Sequence, residues 1–87
     1  MARYRLLIKA SAARELEAVS RKTDRQRIVQ RIKALADDPR PIACEKLAGY
    51  HHRYRLRQGT YRVVYLVDDA AMAVEIIKIA HRREVYR

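Results

Sequence analysis

The stretch Arg53 to Asp69, RYRLRQGTYRVVYLVDD, alternates polar and apolar side chains before a single glycine and is almost wholly apolar after it, up to Asp68. A period of two marks a half-buried β-strand, and a short glycine-containing connection between two strands marks a hairpin. Strands are therefore expected at about 52–57 and 61–67, joined through Gln58-Gly59-Thr60. A turn at Asp68-Asp69-Ala70 leads to a last strand, MAVEIIKIA, from Met72 to about Ala80. The C-terminal half thus reads as a three-stranded meander.

The N-terminal half has another period. RYRLLIK, residues 3–9, is short, apolar at its centre and bounded by polar residues, which predicts a strand. Ala12, Leu16 and Val19 then recur at helical spacing and predict a helix from about 11 to 21. Thr23 and Gln26 have the spacing of a capping box, with Asp24 at the positive end of the helix dipole, so a second helix is expected to start there. Its apolar stripe is Ile28, Val29, Ile32, Leu35 and Ala36, and Pro39 and Pro41 end it. Strand, helical hairpin and meander predict an α+β fold: a mostly antiparallel four-stranded sheet with both helices on one face and a short C-terminal segment. At 87 residues the chain is expected to be one domain, 1–87.

The formal net charge is +10, from 20 Lys and Arg against 10 Asp and Glu. Self-repulsion of that size gives folding nothing and points to a polyanionic partner, nucleic acid first or an acidic protein. A basic surface serving solubility alone is the alternative, although mixed charge serves that end equally well. Cys44 is the only cysteine and there are three histidines, so neither an internal disulfide nor a paired-cysteine zinc site is expected. No stretch approaches the ~18 apolar residues of a spanning helix, and the protein is expected to be cytoplasmic.

Alternation along the strand sets Arg53, Arg55 and Arg57 on one face, about 7 Å apart, with Tyr54 and Leu56 on the other. Such a row suits the successive phosphates of an extended nucleic-acid strand; the other reading is a solvated edge strand whose charges block aggregation. Arg62 stands out in the otherwise apolar YRVVYLV. It is either a rigidly held cation for a phosphate, or a strand-end partner for Asp68 or Glu75. His81, Arg82, Arg83 and Tyr86 follow the last strand in KIAHRREVYR, and the meander is expected to bring that end beside Arg62.

Across nearly its whole length, and most plainly at YRLRQGTYRVVYLVDD, EKLAG and HRREVYR, the chain resembles the RelE branch of the RelE/ParE toxin superfamily of prokaryotic toxin–antitoxin pairs. The resemblance implies a metal-independent endoribonuclease, with no cofactor, that enters the ribosomal A site and cuts mRNA through the 2′-hydroxyl, inhibiting translation. It implies that Arg53 and Arg55 neutralise RNA, that Arg62 stabilises the scissile phosphate, and that Arg82 and Tyr86 orient the 2′-hydroxyl and stack on a base. It also implies an antitoxin whose acidic C-terminal segment wraps the toxin in a hetero-oligomer and faces part of the helical hairpin. His81 stands where the best-known members have lysine. Because an imidazole exchanges a proton near working pH while a guanidinium stays protonated, His81 is the better general base or acid by chemistry.

Arg57 extends the RNA-binding row, and Arg83 with the helix cations, among them Arg25 and Arg31, is expected to contact rRNA. The ParE branch shares the fold and inhibits DNA gyrase, usually without a comparable Arg62, Arg82 and Tyr86 set; this sequence has that set. A basic RNA-binding module without catalysis is the third reading.

Overall fold

The computed structural model describes residues 3–81. Five strands and two helices follow in the order β1 (Arg5–Ile8), α1 (Ala10–Glu17), α2 (Lys22–Ala34), β2 (Cys44–Lys46), β3 (Arg53–Gln58), β4 (Tyr61–Asp68) and β5 (Ala73–His81). They build one sheet of order β1-β5-β4-β3-β2, antiparallel except where β1 runs parallel to β5. The architecture is the expected α+β, with one strand more than the sequence predicts. That strand, β2, is three residues long, too short to display a period, and lies in the segment read as a loop.

Both helices end differently from expectation. α1 stops at Glu17 and not near 21, because the chain turns there: the Val19 N–H donates to Leu16 O, and the Val19 carbonyl accepts from the Arg25 side chain. α2 starts at Lys22 with Arg21 at the cap position and no side-chain cap bond, so Thr23 and Gln26 form no capping box. Thr23 already lies inside the first turn, where Asp24 supplies the favourable negative charge.

The helices cover one face of the sheet. Ala12, Val19, Ile28 and Leu35 pack on Tyr54, Leu56, Val63, Tyr65, Val67, Val74, Ile76 and Ile79 in one buried cluster. The odd step from Ile76 to Ile79 keeps one face because Ile77 is an extra residue opposite the Val64/Tyr65 junction, a β-bulge that shifts the alternation. β1 ends at Ile8, and beyond it Glu15 of α1 accepts the Ile79 N–H at 3.0 Å and pairs with Lys78 at 3.2 Å.

A polar clasp closes the far end of the sheet. Arg40 pairs with Asp69 (2.6 Å), donates to the Tyr54 hydroxyl (2.9 Å) and lies 5.3 Å from that ring's centre; Tyr4 donates to Asp69 (2.6 Å). The buried Tyr65 hydroxyl donates to Pro39 O at 2.8 Å, and burial pushes its pKa well up.

Candidate functional site

The open face of the sheet carries the arginines. Tyr54 and Leu56 are buried on the helix side, and alternation turns Arg53, Arg55 and Arg57 to the opposite side. β3 lies between β2 and β4, so the reading of these arginines as protection for an edge strand does not apply. Arg55 pairs at 2.7 Å with Glu45, its register neighbour on β2. The Glu45 carboxyl is held below its usual pKa, first by the Arg55 hydrogen bond and charge and then by the charges of Arg57 and Arg62. One carboxylate therefore faces a field of guanidinium groups.

Arg62 is placed by the hairpin. Gln58 pairs with Tyr61 across a two-residue loop whose first residue, Gly59, has φ 61°, the arrangement of a type II′ turn and one that favours glycine. Arg62 then falls directly opposite Arg57, a like-charged pair that opposes folding. It is 4% exposed, and its guanidinium curls back on the turn, donating to Tyr61 O at 3.0 Å and Gly59 O at 3.4 Å. Neither Asp68 nor Glu75 pairs with it among the described residues, which removes the strand-end ion pair as its explanation. A buried cation hydrogen-bonded to carbonyls, with Glu45 acting on it by charge alone, gains from an anion that joins it.

His81 does not meet Arg62. The register sets Ala80 opposite Arg62 and His81 opposite Tyr61, and the His81 and Tyr61 rings meet edge to face at 5.7 Å. Alternation thus turns His81 to the helix side, where with Glu15, Ala18, Val19, Tyr61 and Ile79 it lines a cavity of about 200 Å³. The Arg25 guanidinium donates to the carbonyls of Val19 and Ser20 and holds the helix–helix turn. Arg31 is half-buried on α2, in the layer on the other side of the sheet from Arg53, Arg55 and Arg57. Arg82, Arg83 and Tyr86 lie outside the described residues.

Two participants were absent from the sequence reading. Glu45 sits in the short strand that showed no period. Tyr50, 52% exposed, lies against the Arg53 guanidinium at 4.7 Å, and its only signal was an aromatic residue one step after Gly49. No three His, Cys, Asp or Glu side chains among the described residues cluster to hold a metal ion, and no helix there is long and apolar enough to cross a membrane.

Residues 6–86 match the family described as the ParE toxin of the type II toxin–antitoxin system parDE. Toxin RelE of Mycobacterium tuberculosis is 33% identical over 84 residues, covering 97% of this chain and 87% of that protein. Among solved structures, the archaeal RelE–RelB complex of Pyrococcus horikoshii has a TM-score of 0.82 at 29% identity, covering 94% of this chain and 97% of that one. The intact RelBE toxin–antitoxin complex of E. coli has a TM-score of 0.79 at 26% identity, covering 90% and 95%. On the strength of the family match and these relatives, the chain belongs to the RelE/ParE superfamily and is the toxin of a type II toxin–antitoxin system.

Proposed function

We propose that the protein is a ribosome-dependent endoribonuclease that cuts mRNA in the A site. The observation carrying this reading is Arg62, a buried cation without a carboxylate partner among the described residues, standing beside Arg57 at the end of an arginine row. In the reaction the 2′-oxygen attacks the adjacent phosphorus, the bond to the 5′-oxygen breaks, and one proton leaves the 2′-hydroxyl while another reaches the departing oxygen. The products are a 2′,3′-cyclic phosphate and a 5′-hydroxyl. Charge building on the phosphoryl oxygens is met by guanidinium donors, the kind of electrostatic stabilisation that contributes most to such a barrier.

A phosphate reaches Arg62 once the guanidinium turns from the Gly59 and Tyr61 carbonyls. Hydrogen bonds to two neutral carbonyls, one of them long at 3.4 Å, are then exchanged for bonds in which donor and acceptor both carry charge. Arg53, Arg55 and Arg57 guide the strand, and Arg82 and Tyr86 keep the orienting and stacking roles the family implies. His81, on the other face, is the smaller contributor. Glu45, its pKa held low, is a weak base.

The partner is a cognate antitoxin, acting in the cytoplasm. Its docking place is the helix side, where Leu6, Leu7, Ile8, Leu16, Val29 and Ile32 line an apolar hollow beside the free edge of β1, with Leu7 45% and Ile8 44% exposed. The ParE-type reading, gyrase inhibition, is the alternative, since the family match carries that name. A defined translation reaction with mRNA 5′-end mapping, run beside a gyrase supercoiling assay, separates the two. New mRNA ends with supercoiling intact support the nuclease; intact mRNA with blocked supercoiling refutes it.

A further inference from the structure

Tyr50 is among the few large apolar side chains exposed in the described structure, and of those it alone lies against a guanidinium. An aromatic ring half in water contributes little to folding, yet backbone hydrogen bonds shape the loop that carries it. The Leu47 N–H donates to Arg53 O at 2.9 Å and closes the loop; the Tyr50 N–H donates back to Leu47 O at 3.4 Å. Between them Gly49 has φ 83°, which only glycine adopts without strain, so the turn depends on it. The ring is thereby set where the Arg53 guanidinium covers it, 4.7 Å from its centre.

Arg53 is also the first member of the row that ends opposite Arg62. Four residue-to-residue steps of strand lead from Arg53 to Arg57, a span of about 14 Å. A strand of RNA whose phosphates follow the row brings its bases past an aromatic ring backed by a cation, the arrangement on which single-stranded bases stack regardless of identity. We propose that Tyr50, backed by Arg53, is a stacking platform for one RNA base lying about 14 Å along the strand from the phosphate at Arg62, and that it sets the register of the strand on the row. The proposal rests on the RNA-cleaving reading and adds to it a residue that holds the substrate without touching the reacting atoms. An acidic polypeptide would satisfy the arginines but would leave the ring without a planar partner, so nucleic acid is the occupant.

The chain contains no tryptophan, so Tyr50→Trp introduces its single indole. The full-length Tyr50→Trp protein is titrated with a 2′-O-methyl RNA oligonucleotide, which cannot supply the attacking oxygen, and with a series in which one abasic site is walked along the strand. The expected result is quenching of the indole by the intact strand and loss of quenching at one abasic position only. Anisotropy should show Tyr50→Ala binding the intact strand about tenfold more weakly than the unsubstituted protein. Both should bind the strand abasic at that position equally. Absence of quenching, a Tyr50→Ala loss that is the same on every strand, or quenching by polyglutamate and not by RNA would each overturn the proposal. Failure of the cleavage reading is seen separately, as mRNA that stays intact in a translation reaction containing the unsubstituted protein.

Discussion

Arg57→Gln should make the protein more stable and a poorer ligand for RNA. Arg57 and Arg62 are register partners on β3 and β4, so their side chains leave one face of the sheet from Cβ atoms about 5 Å apart. A directly opposed like-charged pair costs about 0.2–1 kcal/mol, and among the described residues neither arginine lies within ion-pair distance of a carboxylate, Glu45 being hydrogen-bonded to Arg55 and acting on them by charge alone. With about 2.1 cal/mol/K of unfolding entropy per residue, an 87-residue chain has about 0.18 kcal/mol/K, so relief of the repulsion should raise Tm by about 1–5 °C. The gain should shrink in high salt, since Arg57 is exposed and the Debye length falls from about 10 Å at 0.1 M to 3 Å at 1 M. Losing one phosphate contact should meanwhile lower the slope of log affinity against log salt by about 0.7 for single-stranded RNA. Thermal melts at two salt concentrations and anisotropy titrations check both halves. A lower Tm together with an unchanged salt slope would refute the argument that the row is kept for a ligand at the expense of folding.

Tyr65→Phe leaves the buried Pro39 carbonyl without its 2.8 Å donor and should destabilise the fold by about 1–2 kcal/mol, or about 5–10 °C in Tm by the same entropy, with RNA affinity unchanged. The Asp69 carboxyl is held below its usual range by its hydrogen bond from Arg40 and then by that from Tyr4. A depressed folded-state pKa stabilises fully above the unfolded value near ~4 and is lost as pH falls through the folded value. Melting between pH 6 and 2.5 should therefore show a falling acid limb that Asp69→Asn flattens, the substituted protein melting lower than the original at pH 6.

The hairpin of β3 and β4 was legible because β3 is half-buried and alternates, β4 is buried on both faces and reads as an apolar run, and a glycine marks the turn between them. β5 was legible in extent and hidden in phase, since the Ile77 bulge moves Ile79 onto the face of Ile76 and the doublet Ile76-Ile77 is its only trace. β2 was hidden because a three-residue edge strand bonded on one side needs no apolar alternation. The Thr23–Gln26 spacing misled because a capping box needs the threonine at the cap, and Arg21 takes that position. At the site, Arg62 stood out as a charge among apolar neighbours. Its relation to His81 depended on register: a chain reading that places two strand ends side by side does not say that the pair beside Arg62 is Ala80, one residue short of the histidine.

The central claim is that Arg62 meets the charge of the reacting phosphate. The direct measurement is the single-turnover rate of mRNA cleavage on programmed ribosomes by the unsubstituted protein, Arg62→Ala, Arg62→Lys and His81→Ala, each first shown to be folded by its melt. Loss of a fixed donor to a developing anion should slow Arg62→Ala by about 10²–10³-fold, with Arg62→Lys recovering part of the rate. His81→Ala should stay within about tenfold, below the 10²–10⁴-fold of a positioned acid or base. A folded Arg62→Ala protein that cuts within a few-fold of the unsubstituted rate, or a His81→Ala loss larger than that of Arg62→Ala, would contradict the account.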